Sequence, residues 1–254
     1  MAFVMAARRY PTPQELIVTS VPSPSTPIID TGVDREFIYV GDPMCSWCHG
    51  FAPVVKKVAT EFGLPLAVKV GGLRAFESAE PLGERLKGFL SAEWARIGEV
   101  TGQPFSTAAL DREGWVYDTG PADQAVVAAR NLEATSALDF FAALQHAFYA
   151  EGRDITQREV LIDVAAGFGF DRAAFGAAFD NAHEDTLRDF AETRSWGVTG
   201  YPTLLIRTGD ELVRATAGYT SFEDLQPQLA AWFETNGVAE VAPAMMCDVD
   251  AGLC

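Results

Sequence analysis

One stretch narrows the folds open to this chain more than any other, the run DPMCSWCHG over residues 42–50. It follows a short apolar segment, Glu36–Val40, and a Gly-Asp-Pro turn, so that segment reads as a buried strand. A helix is expected over residues 45–62. Cys48, Phe51, Ala52, Val55, Val58, Ala59 and Phe62 recur at spacings of three and four, with Lys56, Lys57, Thr60 and Glu61 opposite. Gly63 ends it. The two cysteines therefore stand at the head of a helix that leaves a strand directly.

That placement makes them unequal. Cys48 falls on the apolar face. Cys45 falls in the first turn, where unpaired N–H groups and the helix dipole stabilise a thiolate. Cysteines so placed have pKa values of roughly 3.5–7.5, against about 8.5 when free. Cys45 is thus expected as an exposed nucleophile and Cys48 as the buried thiol that resolves a mixed disulfide. Trp47 offers an apolar face beside the sulfur, suited to a peptide substrate. His49, four residues after Cys45, is a candidate for tuning its pKa if protonated, or else a solvated surface histidine. Asp42 is a candidate cap, and near the sulfur it would raise the thiol pKa.

A structural zinc site needs four ligands. The remaining choices are Cys247 and Cys254 near the C-terminus, and His146 and His183 in a helical region, with no second Cys-x-x-Cys. No metal is expected. There is no phosphate-binding glycine motif and no defensible Ser-His-Asp set, so the dithiol itself is expected to carry the electrons without a bound cofactor.

Leu66–Val70 reads as a second strand, broken by Gly71-Gly72. Residues from about 75 to 195 read as helical. One helix carries Leu82, Leu86, Leu90, Trp94 and Ile97. A second begins at Gly120-Pro121, and a third carries Ala137, Phe141, Leu144 and Phe148. A fourth opens with a Thr156-x-x-Glu159 capping box, and Phe175, Phe179, Leu187 and Phe190 read as core. Two strands, Thr203–Ile206 and Glu211–Thr216, flank a Thr-Gly-Asp turn. A last helix starts at Ser221-x-x-Asp224. The order predicts an α/β domain with an all-helical insertion.

The chain has 254 residues and a formal net charge of −16, a surface that repels nucleic acid and anionic membranes. No window approaches the ~20 apolar residues of a membrane span. The first residues make a poor signal peptide, because Arg8 and Arg9 follow the apolar stretch. A cytoplasmic protein is expected, where paired cysteines more often bind metal or do redox chemistry than form structural disulfides. A monomer is favoured.

These residues resemble the thioredoxin superfamily. Cys45-Ser-Trp-Cys48 follows a strand and opens a helix, and Pro53 sits where thioredoxins carry a helix-kinking proline. Gly197-Val-Thr-Gly-Tyr-Pro-Thr-Leu204 is similar to the superfamily's cis-proline loop, which would make Tyr201–Pro202 the cis peptide and a substrate-binding element. The distance from Cys45 to Pro202 exceeds a minimal thioredoxin and implies the DsbA-like branch. DPMCSWCHGF, GGLRAF, WVYDTGPADQAVVAAR and AFYAEGRDIT resemble its cytoplasmic FrnE-like members. The implied domains are a flexible extension over 1–30, a thioredoxin-like unit over 31–74 and 184–238, a helical insertion over 75–183, and a tail over 239–254.

The resemblance implies a thiol–disulfide oxidoreductase or isomerase acting on protein or peptide disulfides, with glutathione or a thioredoxin as redox partner. It also implies that Cys247 and Cys254 form a second redox pair. Two departures stand out. Tyr39 occupies the position where many relatives carry a buried acid, and Ser-Trp replaces the Pro-His of the strongly oxidising enzyme, implying a less oxidising poise. Two other functions fit the same outline: a glutathione-dependent enzyme of the kappa-transferase or chromene-carboxylate isomerase type, which usually has serine in place of Cys45, and a redox-independent holdase or binding module.

Overall fold

The computed structural model describes residues 35–235 and the backbone of a strand at Cys247–Asp248. The expectations for residues 1–30, for Cys254 and for most of the tail fall outside the described residues.

The apolar segment forms β1, Arg35–Gly41. Phe37, Ile38, Tyr39 and Val40 are at most 1% exposed, so both faces of this strand are covered. Helix α1, Ser46–Phe62, leads to β2, Leu66–Val70. The two strands pair in parallel, from Phe37 opposite Leu66 to Gly41 opposite Val70. Helix α1 is the crossover that parallel pairing requires. Its Phe51, Val54, Val55 and Val58 are buried, each stabilising the fold by about 1.5–3 kcal/mol. Pro53 lies inside the helix on its exposed side, where it removes the bond to the His49 carbonyl. Gly63 ends the helix in the left-handed region at φ 60° and returns its N–H to Ala59.

The insertion follows. It comprises β3 (Glu80–Pro81), α2 (Glu84–Thr101), β4 (Val116–Tyr117, paired with β3), α3 (Gly120–Leu132), α4 (Ala137–Gln145), α5 (Arg158–Phe168) and α6 (Arg172–Asn181). Helix α4 runs on into a π-helical turn, His146–Ala150. Helix α7, His183–Ser195, then packs against β2. Two local expectations are corrected. Gln157, not Thr156, stands at the head of α5 and makes no side-chain cap bond, and the Thr156 hydroxyl donates to Asp154 at 2.6 Å. Leu187 is 40% exposed and is not core, since it projects from the outer side of α7.

The chain returns to the sheet through β5 (Gly200–Tyr201), β6 (Thr203–Thr208) and β7 (Glu211–Ala217), and ends the described domain with α8 (Phe222–Thr235). The sheet order is β2-β1-β6-β7, with β6 antiparallel to both its neighbours. Gly209, at φ 56°, makes the β6–β7 turn. Ser221 and Asp224 bond reciprocally at the head of α8. The strand β8, Cys247–Asp248, pairs antiparallel with β5, placing Cys247 opposite Tyr201 and Asp248 opposite Gly200.

One buried carboxylate ties sheet and helices together. Asp189 of α7, 3% exposed, accepts from Lys69 of β2 at 2.9 Å, from Arg130 of α3 and from the Val70 N–H at 3.3 Å.

Candidate active site

Cys45 is the residue immediately before α1, in extended conformation. Its Sγ accepts the Cys48 N–H at 3.3 Å, the bond expected where a helix begins with its first donors unpaired. The same sulfur lies 3.7 Å from the carbonyl oxygen of Tyr201, to which its S–H donates. The Tyr201–Pro202 peptide is cis. Both cysteines are thiols. A strand–helix junction and a loop 156 positions away thus converge on one sulfur.

Residues 38–230 match the model of the DSBA-like thioredoxin domain. The chain belongs to this family. A candidate protein disulfide isomerase from Nitrosomonas europaea is 34% identical, with a TM-score of 0.74 over 80% of this chain and 99% of that one. The cytosolic disulfide reductase DsbM from Pseudomonas aeruginosa is 27% identical, with a TM-score of 0.67 over 78% of this chain and 98% of that one. A structure of DsbM with GSH is similar at 28% identity and a TM-score of 0.65, over 78% and 99% of the two chains. No curated protein matches the chain. No helix among the described residues is long and apolar enough to cross a membrane.

This DSBA-like site differs from the sequence expectation in one respect that matters for its chemistry. A position at the helix start predicts an exposed Cys45 with a lowered pKa, but the residue is 0% exposed. Burial pushes its thiol well above the ordinary value, the adjacent Cys48 thiol and the Asp42 charge add to the rise, and the Cys48 N–H pulls the other way. The physical reason is the cover over the helix start. Tyr117 of β4 and Tyr149 of the π-helical turn both donate to the carbonyl of Met44, the residue before Cys45. The sequence alone assigns neither tyrosine a role, although both lie in family-like phrases. Two phenols on one carbonyl are a product of folding, not of spacing.

Asp42 is fully buried and works as an anchor. Its two carboxylate oxygens accept the N–H groups of Met44 and Leu73, each at 2.8 Å, joining the turn before α1 to the segment after β2. That segment is stitched in turn to the start of α3. The Thr119 hydroxyl accepts the Arg74 N–H at 3.2 Å, and Asp118 accepts the Phe76 N–H at 2.8 Å.

His49 is neither a surface residue nor a cation. It is 4% exposed, its ring lies 4.8 Å from that of Tyr149 in a stacked pair, and Nε2 donates to the Pro104 carbonyl at 3.1 Å. Burial pushes its pKa down to about 4, so at neutral pH it brings no positive charge to Cys45. Of the two candidates for tuning this thiol, Asp42 carries the charge, and its effect is upward.

Trp47 is 3% exposed, with the Tyr219 ring at 5.6 Å and the Arg96 guanidinium over it at 5.2 Å. Tyr201 is buried, and its hydroxyl donates to the Gly71 carbonyl. Its phenol is held neutral by burial first and by Asp123 and Asp42 next. Tyr39 is buried, and burial first, then the Cys48 thiol beside it, raise its pKa well above the ordinary value. From the tail, the backbone of Cys247 reaches the site through its pairing with Tyr201.

Proposed function

We propose that the protein is a thiol–disulfide oxidoreductase or isomerase acting on protein or peptide disulfides. Cys45 attacks a substrate disulfide, forming a mixed disulfide and releasing one substrate thiol. Cys48 then attacks the Cys45 sulfur, closing the Cys45–Cys48 disulfide and releasing the second thiol. A small thiol or a thioredoxin-like dithiol returns the pair to the reduced form. The observation that carries this reading is the position of the Cys45 sulfur between the Cys48 N–H and the Tyr201 carbonyl. Substrate entry that brings water to the sulfur removes the burial penalty and leaves the Cys48 N–H to stabilise the thiolate.

Tyr201 and Pro202 hold the substrate backbone, and Trp47 borders the sulfur. Glutathione is our first choice of small thiol, supported by the structure of the DsbM relative with GSH. The cytosolic description of that relative supports a cytoplasmic location and the FrnE-like assignment. We assign Cys247 and Cys254 as a second redox pair that exchanges with Cys45–Cys48, supported by the pairing of Cys247 with Tyr201.

The test is insulin reduction and reactivation of scrambled ribonuclease. Cys45→Ser should abolish both. Full activity in that variant sinks the mechanism.

A further inference from the structure

The cis-proline loop carries a short strand edge of its own. Strand β5, Gly200–Tyr201, stands outside the four-stranded sheet. The loop around it is tied down from within. The Thr203 hydroxyl donates to the Gly200 carbonyl at 2.9 Å, the Gly218 N–H to the Pro202 carbonyl at 2.6 Å, and the Tyr201 hydroxyl to the Gly71 carbonyl. Gly200, Tyr201 and Pro202 are all buried. An edge held this firmly takes up an extended chain at little ordering cost, because its own backbone is already in place.

Among the described residues, β8 alone pairs with that edge. It runs antiparallel, with Cys247 opposite Tyr201 and Asp248 opposite Gly200. Tyr201 is also the residue whose carbonyl meets the Cys45 sulfur at 3.7 Å. The backbone of Cys247 therefore runs beside the residue that touches the nucleophile. A strand edge presents one row of N–H and C=O groups, so two extended chains cannot pair with it at once.

We propose that β8 is a resident pseudosubstrate: the chain's own tail fills the peptide-pairing edge of the cis-proline loop, and an incoming peptide must displace it. This rests on the reading of Tyr201 and Pro202 as the holders of the substrate backbone. The contact is a backbone pairing, so it needs neither the Cys247 nor the Cys254 thiol and is separate from their redox role. Residues 236–246 tether β8 to α8, which sets its concentration at the edge on the order of millimolar. A two-residue pairing, weak by itself, then covers the edge at rest and yields to a longer strand. The pairing also fixes the class of competitor. It is an extended segment of an unfolded or loop-exposed chain, read through its main chain. A small disulfide without a peptide backbone makes no such pairing.

The experiment compares two full-length chains. The reference carries Cys247→Ser and Cys254→Ser. The test chain carries Cys247→Pro, Asp248→Pro and Cys254→Ser. Adjacent residues of an antiparallel strand turn their N–H groups to opposite sides, so the two prolines remove the donor facing β5 whichever residue supplies it. The probe is a fluorescein-labelled peptide of residues 243–252 with Cys247→Ser, its binding read by fluorescence anisotropy. The test chain should bind it about fivefold or more tighter than the reference, because no tethered strand competes at millimolar effective concentration. A gain in affinity cannot come from misfolding. Equal affinity in the two chains, or binding to neither, overturns the proposal.

The unlabelled peptide should also raise KM for a peptide disulfide in the test chain and leave kcat unchanged. A fall in kcat with KM unchanged places the peptide elsewhere and overturns the proposal. No thiol takes part in the anisotropy measurement. Failure of the dithiol mechanism, seen as full activity in Cys45→Ser, is therefore read separately.

Discussion

The sulfur of Cys45 and the carbonyl oxygen of Tyr201 lie 3.7 Å apart, although 156 positions separate the two residues. The first stands where β1 turns into α1, and the second stands just before β6, the strand that pairs with β1. Antiparallel pairing of β1 with β6 brings the two ends together, so the site is assembled by the sheet itself.

The cis-proline loop is held by a close approach at Gly71. A Cβ added there would overlap the Tyr201 ring. Gly71→Ala should therefore displace Tyr201 and lower kcat/KM for a peptide disulfide by about tenfold or more, consistent with the cost of misplacing a positioning element. The checks are steady-state kinetics and circular dichroism, and full activity in a folded variant contradicts the assigned role of Tyr201.

Tyr117 and Tyr149 share one acceptor, the Met44 carbonyl. Either Phe substitution alone should cost about 1 kcal/mol, because one phenol donor remains. The double variant should cost more than the sum, since it removes both phenol donors from the carbonyl. Urea denaturation of the four proteins measures the coupling, and strict additivity would show that the two hydroxyls act independently.

His49 makes stability depend on pH. Its folded pKa of about 4 lies below the ordinary value of 6.5, so the unfolded chain binds more protons in that window. Its contribution is complete above pH 6.5 and is lost as pH falls toward 4, by up to about 3 kcal/mol. The wild-type protein minus His49→Gln should show this slope in denaturant midpoints. A flat difference between those pH values would mean that the ring is protonated inside the fold.

Asp189 is the shared partner of Lys69 and Arg130. Asp189→Ala leaves partly buried cations short of their carboxylate and should destabilise the protein by about 3–5 kcal/mol. Arg130→Met should cost less, because Lys69 still pairs with Asp189. Thermal and urea unfolding rank the two, and the reverse order would place the main anchor on Arg130.

Much of the framework is legible along the chain because its signals are local. The periodicity after Cys45, the αL glycine at Gly63, the Thr-Gly-Asp turn and the Ser221–Asp224 box each act within one or two turns. The Thr156 box misleads: Gln157 stands at the head of α5, and the Thr156 hydroxyl donates to Asp154. His49 and Cys45 mislead for a different reason. Helix geometry says which side of α1 they occupy, but not that the insertion covers that side.

From the sequence alone came the pairing of an N-terminal cysteine with a buried one on the same helix, and the link between that helix and Pro202. The first follows from residue spacing and backbone chemistry, and the second from the resemblance to the thioredoxin superfamily. Tertiary structure alone decided the electrostatics. Burial neutralised His49 and raised the Cys45 thiol, and two tyrosines met on Met44. Charge states in an interior depend on what excludes water, and here the excluding elements lie far along the chain from the groups they control.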